Sequence, residues 1–206
     1  MKVMLIHGLG QTAKAWEKTV TRLDMQNDLI ITDLVEMSAS EQQLNYNSLY
    51  KRFAEFTDEI NEPLCLCGLS LGSILAMQYT ISNPRKVKSL VLIGTQYKMP
   101  KAMLTFQNIL FKFMPEKSFS DTGFDKSTFI SLCASMKSLD FTYELTKIHC
   151  PTLIICGEKD KANKAAALEL HKKILDSRLE IINDCTHEVN VCKPNELAKL
   201  VLNFIN

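Results

Sequence analysis

The chain has 206 residues, of which 46% are hydrophobic and 23% charged, the makeup of an ordinary soluble globular protein able to bury a real core. Its 24 Lys and Arg residues meet 23 Asp and Glu residues, and the formal net charge of +1 gives no electrostatic argument for nucleic acid or an anionic membrane as a partner. No apolar run approaches the roughly 20 residues of a transmembrane span, and the apolar stretch in MKVMLIHGLG is too short for a signal peptide.

Lys2 to His7 (KVMLIH) reads as the first strand. Residues 12–23 place Trp16, Val20 and Leu23 at i, i+4, i+7, a helical stripe with Thr12 as its N-cap. Leu29 to Thr32 (LIIT) is a second strand, and Leu49, Phe53, Phe56 and Ile60 stripe a helix over 48–60 that Asn47 or Ser48 would cap. Pro63 precedes a third strand, Leu64 to Cys67, which ends at Gly68. A helix then runs from Ser70 to about Ser82, where Asn83-Pro84 stops it. Val87 to Ile93 is the fourth strand and PTLIICG, beginning at Pro151, the fifth. A helix over about 164–175, a strand at 178–182 and a last helix carrying Leu197, Leu200, Val201 and Phe204 complete the chain.

Strands alternating with helices predict a single α/β domain over 1–206, a mostly parallel sheet of about six strands covered by helices on both faces. Residues 97–146 break the alternation and read as an insertion within that domain. The seven cysteines are an odd number. Cys65, Cys67 and Cys156 lie in apolar runs, and a lone Cys-x-Cys pair without a second pair does not make a zinc site, so reduced thiols and a cytoplasmic location are expected.

Functional groups on a parallel sheet collect at the carboxyl ends of strands. Gly68-Leu69-Ser70-Leu71-Gly72 fits a G-x-S-x-G turn that lifts a serine hydroxyl above the sheet. By itself the pentapeptide fits a glycine-rich turn with a capping serine equally well. Three other strand ends add to it. His7-Gly8 leads into Leu9, whose backbone N–H, with that of Leu71, can form an oxyanion hole, while His7 itself reads as a structural hydrogen-bonder. Asp160 follows the fifth strand in ICGEKD, and His187 follows the sixth in DCTHEVN. Chain order is then Ser70, Asp160, His187, the order of one serine-hydrolase architecture.

These segments, HGLG with Trp16, GLSLG, LVLIGT at 90–95, PTLIICGEKD, and His187 with the final helix, resemble the α/β-hydrolases in order and spacing over nearly the whole chain. The resemblance implies Ser70 as nucleophile, His187 as general base, Asp160 as the residue orienting it, and Leu9 with Leu71 as the oxyanion hole. It also marks departures. The family's usual N-terminal β-hairpin does not precede the first strand, and KANKAA stands after Asp160 where a hydrophobic-Pro segment is frequent. Asp33, at the end of the second strand, corresponds to a structural residue, and Asp184 and Glu158 rank below Asp160 as the acid.

The reaction so implied is hydrolysis of a carboxylic ester of a small or apolar acyl group through an acyl-enzyme, with a small-molecule substrate, no nucleic-acid or membrane partner, and no metal or organic cofactor. A thioesterase, lactonase, C–C hydrolase or lyase could use the same residues, and a non-catalytic ligand-binding relative would be expected to lose one of them. In the insertion, Met99, Met103, Phe106, Leu110 and Phe113 form one helical stripe. A stripe of this kind ordinarily packs on a core, but Ile109, Phe111 and Met114 lie off it, and this surplus suggests a lid over an acyl pocket.

Overall fold

The computed structural model describes residues 1–205 apart from Asp24, Gln26, Ser40 and Gln42. Six strands form one sheet: β1 (Lys2–Ile6), β2 (Leu29–Thr32), β3 (Leu64–Leu69), β4 (Val87–Ile93), β5 (Thr152–Gly157) and β6 (Ser177–Ile182). Their order is β2-β1-β3-β4-β5-β6 and every pairing is parallel, so the sheet is wholly rather than mostly parallel. β3 and β5 are buried at every position, whereas the edge strand β6 alternates between inward and outward residues. Central strands of a parallel sheet have helices on both faces and so read as unbroken apolar runs.

The helices are α1 (Glu17–Leu23), α2 (Leu34–Ser38), α3 (Tyr46–Asp58), α4 (Leu71–Ser82), α5 (Lys101–Phe113), α6 (Lys126–Ser135), α7 (Lys164–Lys173), α8 (Val189–Cys192) and α9 (Pro194–Ile205). Strand alternation divides the core in two. Met4, Ile6, Leu66, Leu90 and Ile154 face α3, α4 and the segment between β4 and β5. Val3, Leu5, Cys67, Val91 and Ile155 face Trp16, Leu23 and the Leu197, Ala198 and Val201 row of α9.

Two helix starts differ from expectation. The turn Ala13–Trp16 is 3-10, and the Thr12 side chain makes no capping bond; Asp33 Oδ2 takes the Ala13 amide instead, at 3.2 Å. α3 begins two residues early because Asn45, not Asn47 or Ser48, is its cap. Asn45 Oδ1 accepts from Ser48 N–H, and Ser48 Oγ accepts from Asn45 N–H, both at 3.1 Å. This reciprocal pair satisfies two amides that the helix leaves open. The buried face is accordingly Tyr46, Leu49, Phe53 and Thr57, with Phe56 turned to solvent.

Topology sets the site. The sheet runs one way from β1 to β2 and the other way from β1 to β3, so the carboxyl ends of β1 and β3 flank a crevice where the strand order reverses. The long segment between β4 and β5 rises over that end. Its two feet are tied by Phe141 N–H to Tyr97 O at 2.8 Å and Met99 N–H to Leu139 O at 3.0 Å. Above this stem, Phe111, Phe119 and Phe129 pack edge-on with ring centroids 5.2 to 6.0 Å apart.

Replacing Asn45 with Ala should cost about 1 kcal/mol of stability in urea denaturation, while Asn47→Ala should stay within about 0.5 kcal/mol. Equal effects of the two substitutions would contradict the observed cap.

Candidate active site

Ser70 follows β3 and precedes α4, with φ 52° and ψ −113°. A non-glycine residue pays for a positive φ, on the order of 1–3 kcal/mol, so surrounding contacts must impose it. Those contacts are close. A Cβ on Gly72 would run into the Ile6 and His7 carbonyls, and a Cβ on Gly68 into the Gly72 backbone. Ser70 N–H meanwhile continues the sheet ladder to Ile93 O at 2.9 Å. Ser70 occupies the N-cap position of α4, yet its side chain makes no capping bond, which removes the capping-serine reading of the pentapeptide.

At the other edge of the crevice, Asp160 and His187 come together. His187 Nδ1–H donates to Asp160 Oδ2 at 2.7 Å. The carboxylate is almost fully buried and the imidazole about one-third exposed. With its Nδ1 proton engaged, the ring in its neutral form carries Nε2 as an open acceptor. Burial pulls the Asp160 pKa upward, but the hydrogen bonds from His187 and Asn163 outweigh it and hold the carboxyl below its ordinary value. Asp160 therefore stays ionised beside the ring at neutral pH. Gly94 completes this corner: its φ is +56°, and a Cβ there would sit 2.8 Å from the His187 ring.

Ser70, Asp160, His187, Leu9 and Leu71 all border one cavity of about 510 Å³, although Ser70 and His187 share no direct hydrogen bond. Among the described residues the Leu9 and Leu71 amides donate no backbone hydrogen bond. Leu71 N–H opens α4 and so lacks an intrahelical acceptor. The rest of the lining is largely apolar and includes Met99, Met103, Phe106, Leu110 and Met136. Phe113, expected with them, lies outside the cavity and is 84% exposed, because the helix has turned it away. The α5 residues that pack inward are instead Leu104, Asn108 and Phe111. Cys133 also borders the cavity, but burial pushes its thiol up to about 12, which leaves it protonated and a poor nucleophile.

The remaining acids are occupied elsewhere. Asp33 caps α2 through Val35 and Glu36 N–H. Asp184 pairs with Lys159 at 2.9 Å on the surface, and Glu158 accepts from Asp184 N–H. His7 donates from Nδ1 to Gly8 O and accepts Leu34 N–H on Nε2, both at 2.9 Å, which makes it a neutral tie beneath the Leu9 loop.

One pair of polar residues was invisible to sequence reasoning. Asn163 Nδ2 donates to both oxygens of Asp160 at 2.9 Å, and Gln96 Nε2 donates to Asn163 Oδ1 at 2.9 Å, which fixes the amide with its NH2 toward the carboxylate. Asn163 Nδ2 is also 3.1 Å from His187 Nδ1, a proximity of two donors since that ring proton belongs to Asp160. The signal, in retrospect, is the polar Asn within KANKAA at a place where an apolar segment was expected.

A family model described as the alpha/beta hydrolase fold matches residues 2–131. The chain belongs to this family. The match includes Ser70 and both amides of the Leu9–Leu71 pair but stops short of Asp160 and His187, whose placement comes from the geometry above. Human monoacylglycerol lipase ABHD6 is 21% identical across 98% of this α/β hydrolase and 74% of its own length. Pimeloyl-[acyl-carrier protein] methyl ester esterase of Nitrosospira multiformis is 23% identical, covering 98% and 93%. Among solved structures, the enol-lactonase of Burkholderia xenovorans superposes with a TM-score of 0.86 at 18% identity, over 98% of this chain and 90% of that one.

Burial lowers the His7 pKa against smaller upward pulls from Gly8 O and Asp33. The folded protein thus binds fewer protons at His7 than the unfolded chain does, and this contribution to stability is present above about pH 6.5 and lost as pH falls through the lowered value. Imidazole 15N spectra at pH 6.5 should show a mostly neutral His7 ring protonated on Nδ1. A ring half or more doubly protonated at that pH would contradict the assignment.

Proposed function

We propose that this α/β hydrolase cleaves carboxylic esters of small or apolar acyl groups, with Ser70 as nucleophile, His187 as general base and Asp160 as the residue that orients and charge-stabilises the imidazole. The observation that carries the reading is the 2.7 Å Asp160–His187 bond facing the same cavity as a serine hydroxyl that makes no capping bond. Relatives named as a lipase and an ester esterase support ester chemistry as the class.

In this scheme substrate binding brings Ser70 Oγ within reach of His187 Nε2; such contacts are commonly long before substrate arrives. His187 takes the hydroxyl proton as Oγ attacks the ester carbonyl carbon. Negative charge developing on the carbonyl oxygen is met by the Leu9 and Leu71 N–H groups, a contribution of roughly 3–4 kcal/mol per donor. The tetrahedral intermediate collapses, the alcohol leaves with the proton from His187, and the acyl group remains on Ser70. Water, deprotonated by the same ring, attacks the acyl-enzyme and releases the acid. The alcohol carries off the original Ser70 proton and water supplies its replacement through His187, so ester and water become acid and alcohol with no cofactor called on. Residues 97–146 act as a short cap within one domain, with Met99, Met103, Phe106 and Leu110 receiving the acyl chain.

Turnover of p-nitrophenyl esters graded by acyl length, alongside thioester and lactone substrates, tests the reading. Ser70→Ala should lower ester turnover by at least about 10⁴-fold. Substantial turnover by that variant would remove Ser70 from the mechanism. Asn163→Leu, which deprives Asp160 of two hydrogen bonds, should reduce kcat roughly tenfold with KM moved by less than about twofold. A change confined to KM would mean that Asn163 shapes the cavity rather than holding Asp160.

A further inference from the structure

Among the described residues, thirteen large hydrophobic side chains are exposed, and six of them fall between Met103 and Met114. A cluster of this kind on an otherwise ordinary surface marks a place where something docks. At 100° per residue, α5 turns Leu104, Asn108 and Phe111 inward and sets Ala102, Phe106, Ile109 and Phe113 on the opposite side. Phe106 is 63% exposed and Phe113 84%. Met103 and Leu110 between these two faces line the cavity, and Phe106 borders both cavity and solvent, so the exposed patch and the cavity mouth are one continuous apolar surface.

Charge on this helix has one sign. From Lys98 to Pro115 there is no acidic residue, and the acids Glu116, Asp121 and Asp125 begin only afterwards. Lys98 is paired with Asp140, while Lys101 and Lys112 share the flank away from the cavity mouth. Lys126 adds a third cation at the C-terminal end of α5, donating to the Lys112 and Met114 carbonyls at 2.9 and 2.7 Å. The net charge of the whole chain conceals this local segregation. Apolar residues outward with cations along the border is the arrangement of a helix lying in a bilayer interface. No helix among the described residues is long and apolar enough to cross a membrane, so the contact is with a surface.

We propose that the outward face of α5 docks on an anionic lipid surface. Ile109 and Phe113 enter the interface, Lys101 and Lys112 meet headgroup phosphates, and an acyl ester in that surface passes beside Met103, Phe106 and Leu110 into the cavity. Only this last clause rests on the ester-hydrolase reading. A second copy of the chain is the poorer occupant, because it would oppose one cationic face to another and close the cavity mouth.

Cosedimentation with phosphatidylcholine vesicles, with and without about one-third phosphatidylglycerol, tests the proposal. Wild type and Ser70→Ala should both bind the anionic vesicles, more weakly in high salt. The Ile109→Ser/Phe113→Ser double variant, altered only at exposed positions outside the cavity, should bind at least about tenfold less while keeping its Tm and its turnover of a water-soluble short-chain ester. Wild type that stays in the supernatant with anionic vesicles, or a double variant that binds as well as wild type, would overturn docking. So would a dimer in sedimentation velocity that the double variant dissolves. Intact turnover of the soluble ester without vesicle binding defeats docking alone, and vesicle binding without turnover of any ester defeats the ester-hydrolase reading alone.

Discussion

Backbone meets backbone where α4 passes the end of β1, and that contact determines where the Ser70 hydroxyl sits. Gly72 lies against the Ile6 and His7 carbonyls, and Gly68 against Gly72, with no room for a methyl group at either position. The turn from β3 into α4 has to be abrupt, and abruptness is what drives Ser70 to φ 52°. The helix that imposes this strain is firmly held, since Leu71, Ile74, Leu75, Met77 and Tyr79 are all buried. Because β1 is the neighbour of β3, the same contact carries the Leu9 loop to the side of Ser70. On the ester-hydrolase account, nucleophile and oxyanion donors are set by one packing event.

The second half of the site is held by a different set of bonds. Glu158 and Lys159 N–H donate to Ile182 and Cys185 carbonyls, both at 2.8 Å, so the loops carrying Asp160 and His187 are stitched together before their side chains meet. Gln11 then joins the first loop to the last: its side chain exchanges hydrogen bonds with Asn190 and donates to Glu188 at 2.9 Å. Gln11 and Asn190 are buried, where leaving an amide unpaired costs on the order of 1–3 kcal/mol. Three strand ends thus form a braced ring around the cavity, with the Gln96–Asn163 pair fixing Asp160 within it.

What could be read from sequence followed from burial on both faces of the sheet. Continuous apolar runs such as LCLC and TLIICG mark central strands because no residue there meets water; Ser70 and Asp160 fall just beyond such runs, whereas His187 follows the alternating edge strand β6. Helix starts were less legible. Asn45, Asn47 and Ser48 are all competent caps, and only the packing of Tyr46 and Leu49 selects the first. The stripe reaches the cavity at Met99, Met103, Phe106 and Leu110 but not at Phe113, and the row of α5 that packs on the core is a different one. Apolar residues occupy most of that helix, so periodicity alone gives no preference between Met103–Leu110 and Leu104–Phe111 as the inward row. Tertiary contact with Phe119 and Phe129 decides for the second. Asn163 and Gln96 escaped because lone amides in loops carry no periodic signal.

The account stands on Ser70 being the residue that attacks. The direct measurement is peptide mapping by mass spectrometry after brief exposure to a fluorophosphonate at neutral pH. The expected result is a single adduct on Ser70 in the wild-type protein, with labelling all but lost in His187→Ala, because the hydroxyl is a weak nucleophile without its base. An adduct on another residue, or equal labelling of wild type and His187→Ala, would contradict the account.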